Sequence, residues 1–480
     1  MTTVHPFWIA GKATTSSQVA DVTHPGDGKV IGQYCIPTAE HVDQAVQAAW
    51  DVRHEFRRTT AAQRADALMY ISKQLTDRAE EIAQLILDEN GKPLIWARSE
   101  ASRAGMVFRW AAEEVRRFSG EMQRLDTEAA TAGRMAIIRR FPHGPVLGIA
   151  PFNFPMNLVA HKVAPAIAVG APIVVKPAPS TPLSALLLGE ILAGANLPEG
   201  SWSILPIDNT AAPALVADPR LPVVSFTGSD KVGYEIQKAV PHKHITLELG
   251  GNAAAVILED WNSEADLAWA ASRIATFGTY QAGQSCISVQ RVLIHDSLFP
   301  ELSKRIVAAV SALPNGDPRD EKTIVGPMIN EAAAMRVEEW VNEAVAAGAK
   351  ILTGGTRNGS YYDATVLVDV PMDAKVSCNE VFGPVIVLNS VTSTDEAFAI
   401  VNDSPFGLQA GVFTHNVQAA FRAHSELEVG GVVIGDAPTF RSDQMPYGGV
   451  KASGVGKEGL RHAMQDFTHE RILVLSGLDL

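Results

Sequence analysis

The chain has 480 residues, too many for one ordinary hydrophobic core, so two or three domains are expected. Apolar residues make up 46% and charged residues 19%, the mix of a globular enzyme, which excludes extended disorder. A net charge of -13 excludes nucleic acid as the main partner, because phosphate binding needs a cationic face, but it leaves room for a local arginine pocket that holds a small anion.

Met1 to Gly11 has no basic stretch followed by an apolar one, so no secretory signal is expected. After a short extended start, residues 38–50, opened by Thr38, show a capping threonine and helical spacing, and residues 60–89 continue that spacing as one long helix. Asn90-Gly91-Lys92-Pro93 stops the helix, and residues 94–117 form the next. Alternation in Arg134-Met135-Ala136-Ile137-Ile138-Arg139-Arg140 predicts a strand pair within 120–140.

From Gly144 onward, buried strands are predicted at 146–150, 173–176, 202–205 and 223–226, with helix-length amphipathic segments between them. That is the pattern of a parallel, doubly wound sheet. A second alternating set begins near Ile245 and runs to about Gly449, with strands at 254–258, 289–295 and 385–388, and a last strand is expected at 472–475. The longest apolar run, 163–175, is broken by Pro165, Gly170 and Pro172 and falls short of the roughly 20 residues a membrane span needs, so no membrane partner is expected. Cys35, Cys286 and Cys378 are too scattered for a disulfide framework or a zinc ligand set. Reduced thiols, a cytoplasmic location and no metal are the expectation.

Six segments carry chemistry. Pro151-Phe152-Asn153-Phe154-Pro155 fixes an amide donor at a strand end, as an oxyanion site requires. Lys176-Pro177-Ala178-Pro179 holds a lysine at another strand end, within reach of a sugar hydroxyl or a phosphate. Phe226-Thr227-Gly228-Ser229 offers backbone donors and a hydroxyl at a helix N-terminus, which suits a pyrophosphate. In Glu248-Leu249-Gly250-Gly251-Asn252, apolar surroundings can raise a carboxyl into the range of a general base. In Gln281-Ala282-Gly283-Gln284-Ser285-Cys286, small residues would expose a sulfur, and a helix N-terminus nearby would favour its thiolate. Glu380-Val381-Phe382-Gly383-Pro384 places a carboxylate beside an aromatic in a turn. Each has a plainer reading taken alone: a turn asparagine, a solvated lysine, a structural glutamate, a buried cysteine.

Together, in this order and spacing, the six resemble the aldehyde dehydrogenase superfamily. The resemblance covers essentially the whole chain, including Pro405-Phe406-Gly407-Leu408 and Pro446-Tyr447-Gly448-Gly449-Val450-Lys451. It implies an α/β fold with a Rossmann-like cofactor domain (1–117 and 139–247), an α/β catalytic domain (248–458) and a small β bridging region (118–138 and 459–480) that pairs subunits into a homodimer or homotetramer. It implies Cys286 as nucleophile, Asn153 and the Cys286 N–H as the oxyanion donors, and Glu248 as the base that activates water for thioester hydrolysis. Bound NAD or NADP would touch Lys176, Ala178, Pro179, Phe226, Gly228, Ser229, Leu249, Glu380, Phe382, Ile149 and Phe152.

The acyl-transferring branch, which uses coenzyme A, typically lacks a glutamate where Glu248 stands, so hydrolysis to the free acid is favoured. That branch and a catalytically silent binding relative remain the alternatives. Pro179 replaces a glutamate that many NAD-preferring members use to repel a 2′-phosphate, so NADP is not excluded by charge. Pro206-Ile207-Asp208-Asn209 replaces a glycine-rich segment beside the adenine. Arg103, Arg441, His161 and Ser285 are the candidates to line the substrate pocket. Two arginines converging there would suit a small anionic or hydroxylated aldehyde.

Overall fold

The computed structural model describes residues 3–477 and 479. Met1, Thr2, Leu478 and Leu480, at the outer ends of the regions expected to bind cofactor and to bridge subunits, lie outside the described residues.

Five buried strands form the parallel centre of an eight-stranded sheet, in the spatial order His244–Glu248, Val223–Thr227, Val146–Ile149, Ile173–Lys176, Trp202–Ile204. The chain starts at Val146–Ile149, moves outward on one side, then returns to the other. Strand order reverses beside that first strand, and a crevice opens at the carboxyl ends of strands at such a switch. The register sets Ile149 between Lys176 and Phe226, and Thr227 beside Glu248. Residues singled out in separate motifs thus end neighbouring strands along one sheet edge. Helix Asn157–Val169, with every residue buried, packs between this sheet and helix Leu94–Val115.

A seven-stranded sheet follows, in the order Lys350–Thr353, Thr365–Val368, Val385–Val391, Arg291–His295, Ala254–Ile257, Gln409–Phe413, Gly431–Ile434. Only Lys350–Thr353 runs antiparallel to its neighbour. A third, antiparallel sheet joins Thr468–Ser476, Arg134–Pro142 and Glu121–Arg124.

The structure departs from the sequence reading at three places. Residues 60–89 are two helices, Ala61–Asp77 and Ala79–Asn90, broken at Arg78 (φ -103°, ψ 19°), whose guanidinium binds Glu81 and Glu190. Apolar spacing carries on across the break because both helices bury the same side, so periodicity alone does not reveal it. The short extended start is instead five strands between Val4 and Cys35. The strand near Ile245 opens no second set; it pairs with Val223–Thr227 in the first sheet. Its inner residues, Thr246 to Glu248, are buried as in a strand of either sheet, so its sequence does not say which one it joins.

Candidate active site

A cavity of about 1020 Å³ lies at the switch-point crevice. Cys286 reaches it by a constrained path. Gln281, Ala282 and Gly283 have φ of 50°, 53° and 68°, a left-handed run that costs roughly 1–2 kcal/mol at each non-glycine position. A β-carbon on Gly283 would collide with the Gly383 carbonyl, and the Gln281 side chain donates to the Asn153 carbonyl. The chain after Cys286 leads into strand Arg291–His295, not into a helix, so the expected helix N-terminus is not supplied by its own segment. The Sγ instead lies 2.9 Å from the Tyr447 hydroxyl. The side chain stays partly open to the cavity, while burial pushes its thiol up to about 12, with the Tyr447 bond opposing.

Asn153 is held from both ends. Its Nδ2 donates to the Gln284 carbonyl at 2.9 Å, which leaves the second N–H for the cavity. Its own carbonyl accepts from Lys92 at 2.8 Å, and Lys92 is ion-paired to fully buried Glu100. Glu100 in turn accepts from the Met156 and Asn157 N–H groups at 3.0 and 3.1 Å. The Cys286 N–H has no protein acceptor among the described residues.

Glu248 is buried, and neither carboxylate oxygen has a hydrogen-bond partner. A β-carbon at Gly448 would lie 2.9 Å from its Oε1, so the glycine makes room for the acid. Burial and then the charge of Glu458 push the Glu248 carboxyl well above its usual range, against Arg441 and Lys162. Burial also opposes ionisation of Glu458, yet Lys162 and Arg441 outweigh it and pull that carboxyl to about 2. The two neighbouring carboxyls are therefore driven in opposite directions, Glu248 up and Glu458 down.

At the other end of the cavity, Lys176 donates to the Asn209 Oδ1 at 2.9 Å, and burial lowers its ammonium to about 8. Ala178 and Pro179 form the wall beside it, and no acidic side chain stands at 179. Gly228 and Ser229 face the cavity where helix Asp230–Ala239 begins, with Ser229 as its cap. Ile149, Phe226 and Leu249 supply apolar wall. Glu380 accepts from the Gly251 N–H at 3.0 Å, and burial pushes its carboxyl up to about 7. Phe382, itself left-handed at φ 45°, meets Phe152 edge-on at 5.9 Å, and both line the cavity.

Arg103, Arg441 and Ser285 also line the cavity, but neither arginine is free. Arg103 grips Asp443 with two bonds, at 2.6 and 3.2 Å, and Arg441 binds Glu458 at 3.0 Å. His161 is displaced from the expected pocket wall. It lies behind the wall, fully buried, with Nε2 2.9 Å from Asp443. Burial opposes ionisation of Asp443, yet His161 and Arg103 prevail and hold it well below the usual carboxylate range.

Sequence reasoning missed Asp443, Glu458, Lys162, Tyr447, Lys92 and Glu100. One signal was available: His161-Lys162 interrupts an otherwise apolar helix, and a lysine there needs a buried partner. Lys162 finds Glu458 at 3.4 Å and the Ser225 and Thr227 hydroxyls at 3.1 and 2.8 Å.

The chain matches the aldehyde dehydrogenase family over residues 10–473. It is 39% identical over 472 residues to 3-sulfolactaldehyde dehydrogenase of Priestia aryabhattai, covering 98% of each chain. Its fold superposes on aldehyde dehydrogenase 21 of Physcomitrella patens, solved with the reaction product succinate, with a TM-score of 0.97, 40% identity and coverage of 100% and 99%. It also superposes on the NADP-dependent glyceraldehyde-3-phosphate dehydrogenase of Bacillus halodurans C-125, solved with NADP, with a TM-score of 0.94, 32% identity and coverage of 98% and 99%. Among the described residues no helix is long and apolar enough to cross a membrane. The chain belongs to the aldehyde dehydrogenase family and oxidises an aldehyde with NAD or NADP as the acceptor.

Proposed function

We propose that this enzyme converts a small aldehyde with an anionic or hydroxylated tail into the free acid through a thioester on Cys286. The observation that carries the proposal is that Cys286, Asn153, Glu248, Arg103 and Arg441 all face one cavity. The names of the relatives, one acting on sulfolactaldehyde and one holding succinate, support a singly charged tail.

The Cys286 sulfur attacks the aldehyde carbon, and the Asn153 Nδ2 and the Cys286 N–H receive the oxyanion. NAD or NADP, when bound, would supply the acceptor for a hydride, and loss of that hydride from the tetrahedral carbon leaves the thioester. Glu248, once deprotonated, takes a proton from the water that attacks the thioester, and the acid leaves as the sulfur regains its place. No coenzyme A is needed, because Glu248 supplies the water-activating base.

The cavity fits the dinucleotide. Lys176 and Glu380 would hold the two riboses and Ser229 the pyrophosphate. Gly250 leaves room for the Glu380 carboxylate, which a β-carbon there would strike.

The tail would meet Arg103 and Arg441. With Lys162 as an ammonium, three cations (Arg103, Arg441, Lys162) face two anions (Asp443, Glu458), so one positive charge is left over. The Arg441 Nε is buried without a partner, a donor in want of an acceptor. A carboxylate or sulfonate matches that surplus.

We assign residues 1–117 and 139–247 to cofactor binding, 248–458 to catalysis, and 118–138 with 459–480 to bridging. Exposed Ile472, Leu473 and Val474 on the outer strand of the third sheet suit pairing of copies into a homodimer or homotetramer in the cytoplasm.

The test is NAD(P)H formation across a panel of aldehydes with carboxylate, sulfonate, phosphate, hydroxyl and aliphatic tails, with the parent and with Arg441→Ala. Preference for singly charged tails, lost about 100-fold in kcat/KM with the variant, is expected. A preference for long neutral or aromatic aldehydes, unchanged by the substitution, would sink the reading.

A further inference from the structure

The geometry around the sulfur assigns a role to a side chain outside the motifs used so far. We propose that Tyr447 is a catalytic residue whose hydroxyl donates a hydrogen bond to the ionised Cys286 sulfur and holds it for attack. The inference rests on the reading of Cys286 as the nucleophile.

Three observations carry it. The Tyr447 Oη lies 2.9 Å from the Sγ and is the one side-chain group bonded to that sulfur among the described residues. Its ring cannot swing away. Tyr447 is 4% exposed and packed with Ile287 and Leu408, and its N–H and C=O are tied to the Glu458 backbone at 3.0 and 2.7 Å. The Arg441 guanidinium lies over the ring face, 3.9 Å from its centroid, and is itself fixed by Glu458. A cation over the face draws electron density from the ring, which strengthens the hydroxyl as a donor.

In the resting thiol either atom can donate. When the thiol proton passes to solvent, the sulfur can only accept, and the hydroxyl keeps its own proton and donates it to the thiolate. A hydrogen bond to an ionised acceptor is about twice as strong as a neutral one, so the bond favours the charged form. The charged and titratable groups around the sulfur include Glu380, Arg441, Glu248 and Tyr280 besides Tyr447. Two of these are carboxyls that oppose ionisation, which makes a fixed donor at the sulfur more consequential.

The nearby arginines do not substitute for it. Arg441 spends one nitrogen on Glu458 and presents its face to the ring, and no hydrogen bond joins Arg441 to the Sγ among the described residues. The phenol therefore adds a fixed hydrogen bond to the through-space pull that the buried cation exerts on the sulfur. A phenylalanine at 447 would keep the ring, the cation above it and the apolar contacts, and would remove only the donor.

The experiment follows alkylation of individual cysteines by iodoacetamide in the parent and in Tyr447→Phe, by peptide mass spectrometry between pH 6 and 10. In this reaction the thiolate displaces iodide, and an S–C bond replaces the C–I bond. Half-exposed Cys378 serves as an internal control. In the parent, loss of NAD(P)H formation should track the labelling of Cys286. If it does not, the nucleophile assignment fails, whatever Tyr447 does.

For the variant, the Cys286 profile should move to higher pH, so that labelling at pH 8 slows about tenfold, the consequence of a one-unit shift. Cys378 labelling and the KM for the dinucleotide should not change. Equal Cys286 rates in the two proteins overturn the proposal, as does a slowdown shared by Cys378.

Discussion

A buried cation faces an amide at the end of the cavity proposed to hold the riboses, whereas at the end proposed for the aldehyde tail the cations face carboxylates. Lys176 donates to the Asn209 amide at 2.9 Å and, at 3.5 Å, to the Pro177 carbonyl, and burial draws its ammonium down to about 8. Arg441 is also buried, yet Glu458, Tyr447 and Asp443 outweigh that burial and raise it above its ordinary value. Both ends must keep a positive group in a poorly solvated wall, and the two solutions have opposite consequences. An amide leaves the cation weakened but its field open to a ligand. A carboxylate secures the cation and cancels most of its field, so only the surplus acts on a substrate.

Glu248, between the two ends, has neither solution, and the largest effect is expected there. It is buried without a partner, and burial and the charge of Glu458 push its carboxyl well above the usual range. Hydrolysis of the thioester should therefore accelerate as pH rises and Glu248 loses its proton. Glu248→Gln should slow steady-state turnover about 1,000-fold and flatten that pH dependence. The first equivalent of NAD(P)H per subunit should still form in a rapid burst, because the hydride step precedes hydrolysis. Stopped-flow absorbance separates the two, and loss of the burst together with turnover would mean that Glu248 serves an earlier step.

Asp443→Asn turns the tail end into a copy of the ribose end, a cation facing an amide. Arg103 then regains its field, and the tail site gains one net positive charge. The ratio of kcat/KM for phosphate-tailed over carboxylate-tailed aldehydes should rise about tenfold, since a doubly charged tail gains most. Stability gives a second readout. The folded Asp443 carboxyl lies below its ordinary value of 3.8, so its contribution is present above that pH and is lost as pH falls through the folded value. The melting temperature of the variant should fall below that of the parent at neutral pH, and the gap should close in strong acid. An unchanged tail preference would show that Asp443 does not set the charge of the site.

The two ends also differ in how far they could be read from sequence. The ribose end is built from strand ends, and each contributes a short local motif: Lys176 with its prolines, Gly228-Ser229 at a helix start, Glu380 in its turn. Register in the parallel sheet aligns Lys176 with the strand that leads to Gly228, while Glu380 comes from the turn before strand Val385–Val391 of the other sheet. The tail end draws Arg103, His161, Arg441, Asp443 and Glu458 from four distant segments. No local pattern pairs residue 103 with 443 or 441 with 458; the first bond joins segments 340 residues apart, and the second closes a loop of 17 residues. Both arginines were legible as candidates, but the carboxylates that occupy them were not. The doubly wound sheet was legible from its spacing of buried strands, whereas the membership of His244–Glu248 was not, because its short half-buried run would fit either sheet.

Asn209→Asp is the converse of the tail-end change. The substitution is nearly isosteric, so the 2.9 Å contact with Lys176 should survive and become an ion pair. The new carboxylate would raise the lowered Lys176 ammonium toward its ordinary value and cancel its field at the same point. Bound NAD, with only hydroxyls at the ribose, loses little from that cancellation. Bound NADP adds a 2′-phosphate, which would meet a carboxylate across the ribose rim where the parent offers an amide and Pro179. Like charges brought together in a partly desolvated wall cost on the order of 1–2 kcal/mol. The ratio of kcat/KM with NADP to that with NAD should therefore fall about tenfold in Asn209→Asp, and the aldehyde KM should stay constant. A fall in both cofactors alike would show instead that Lys176 binds the ribose hydroxyls through a free ammonium, and that the amide at 209 keeps it free.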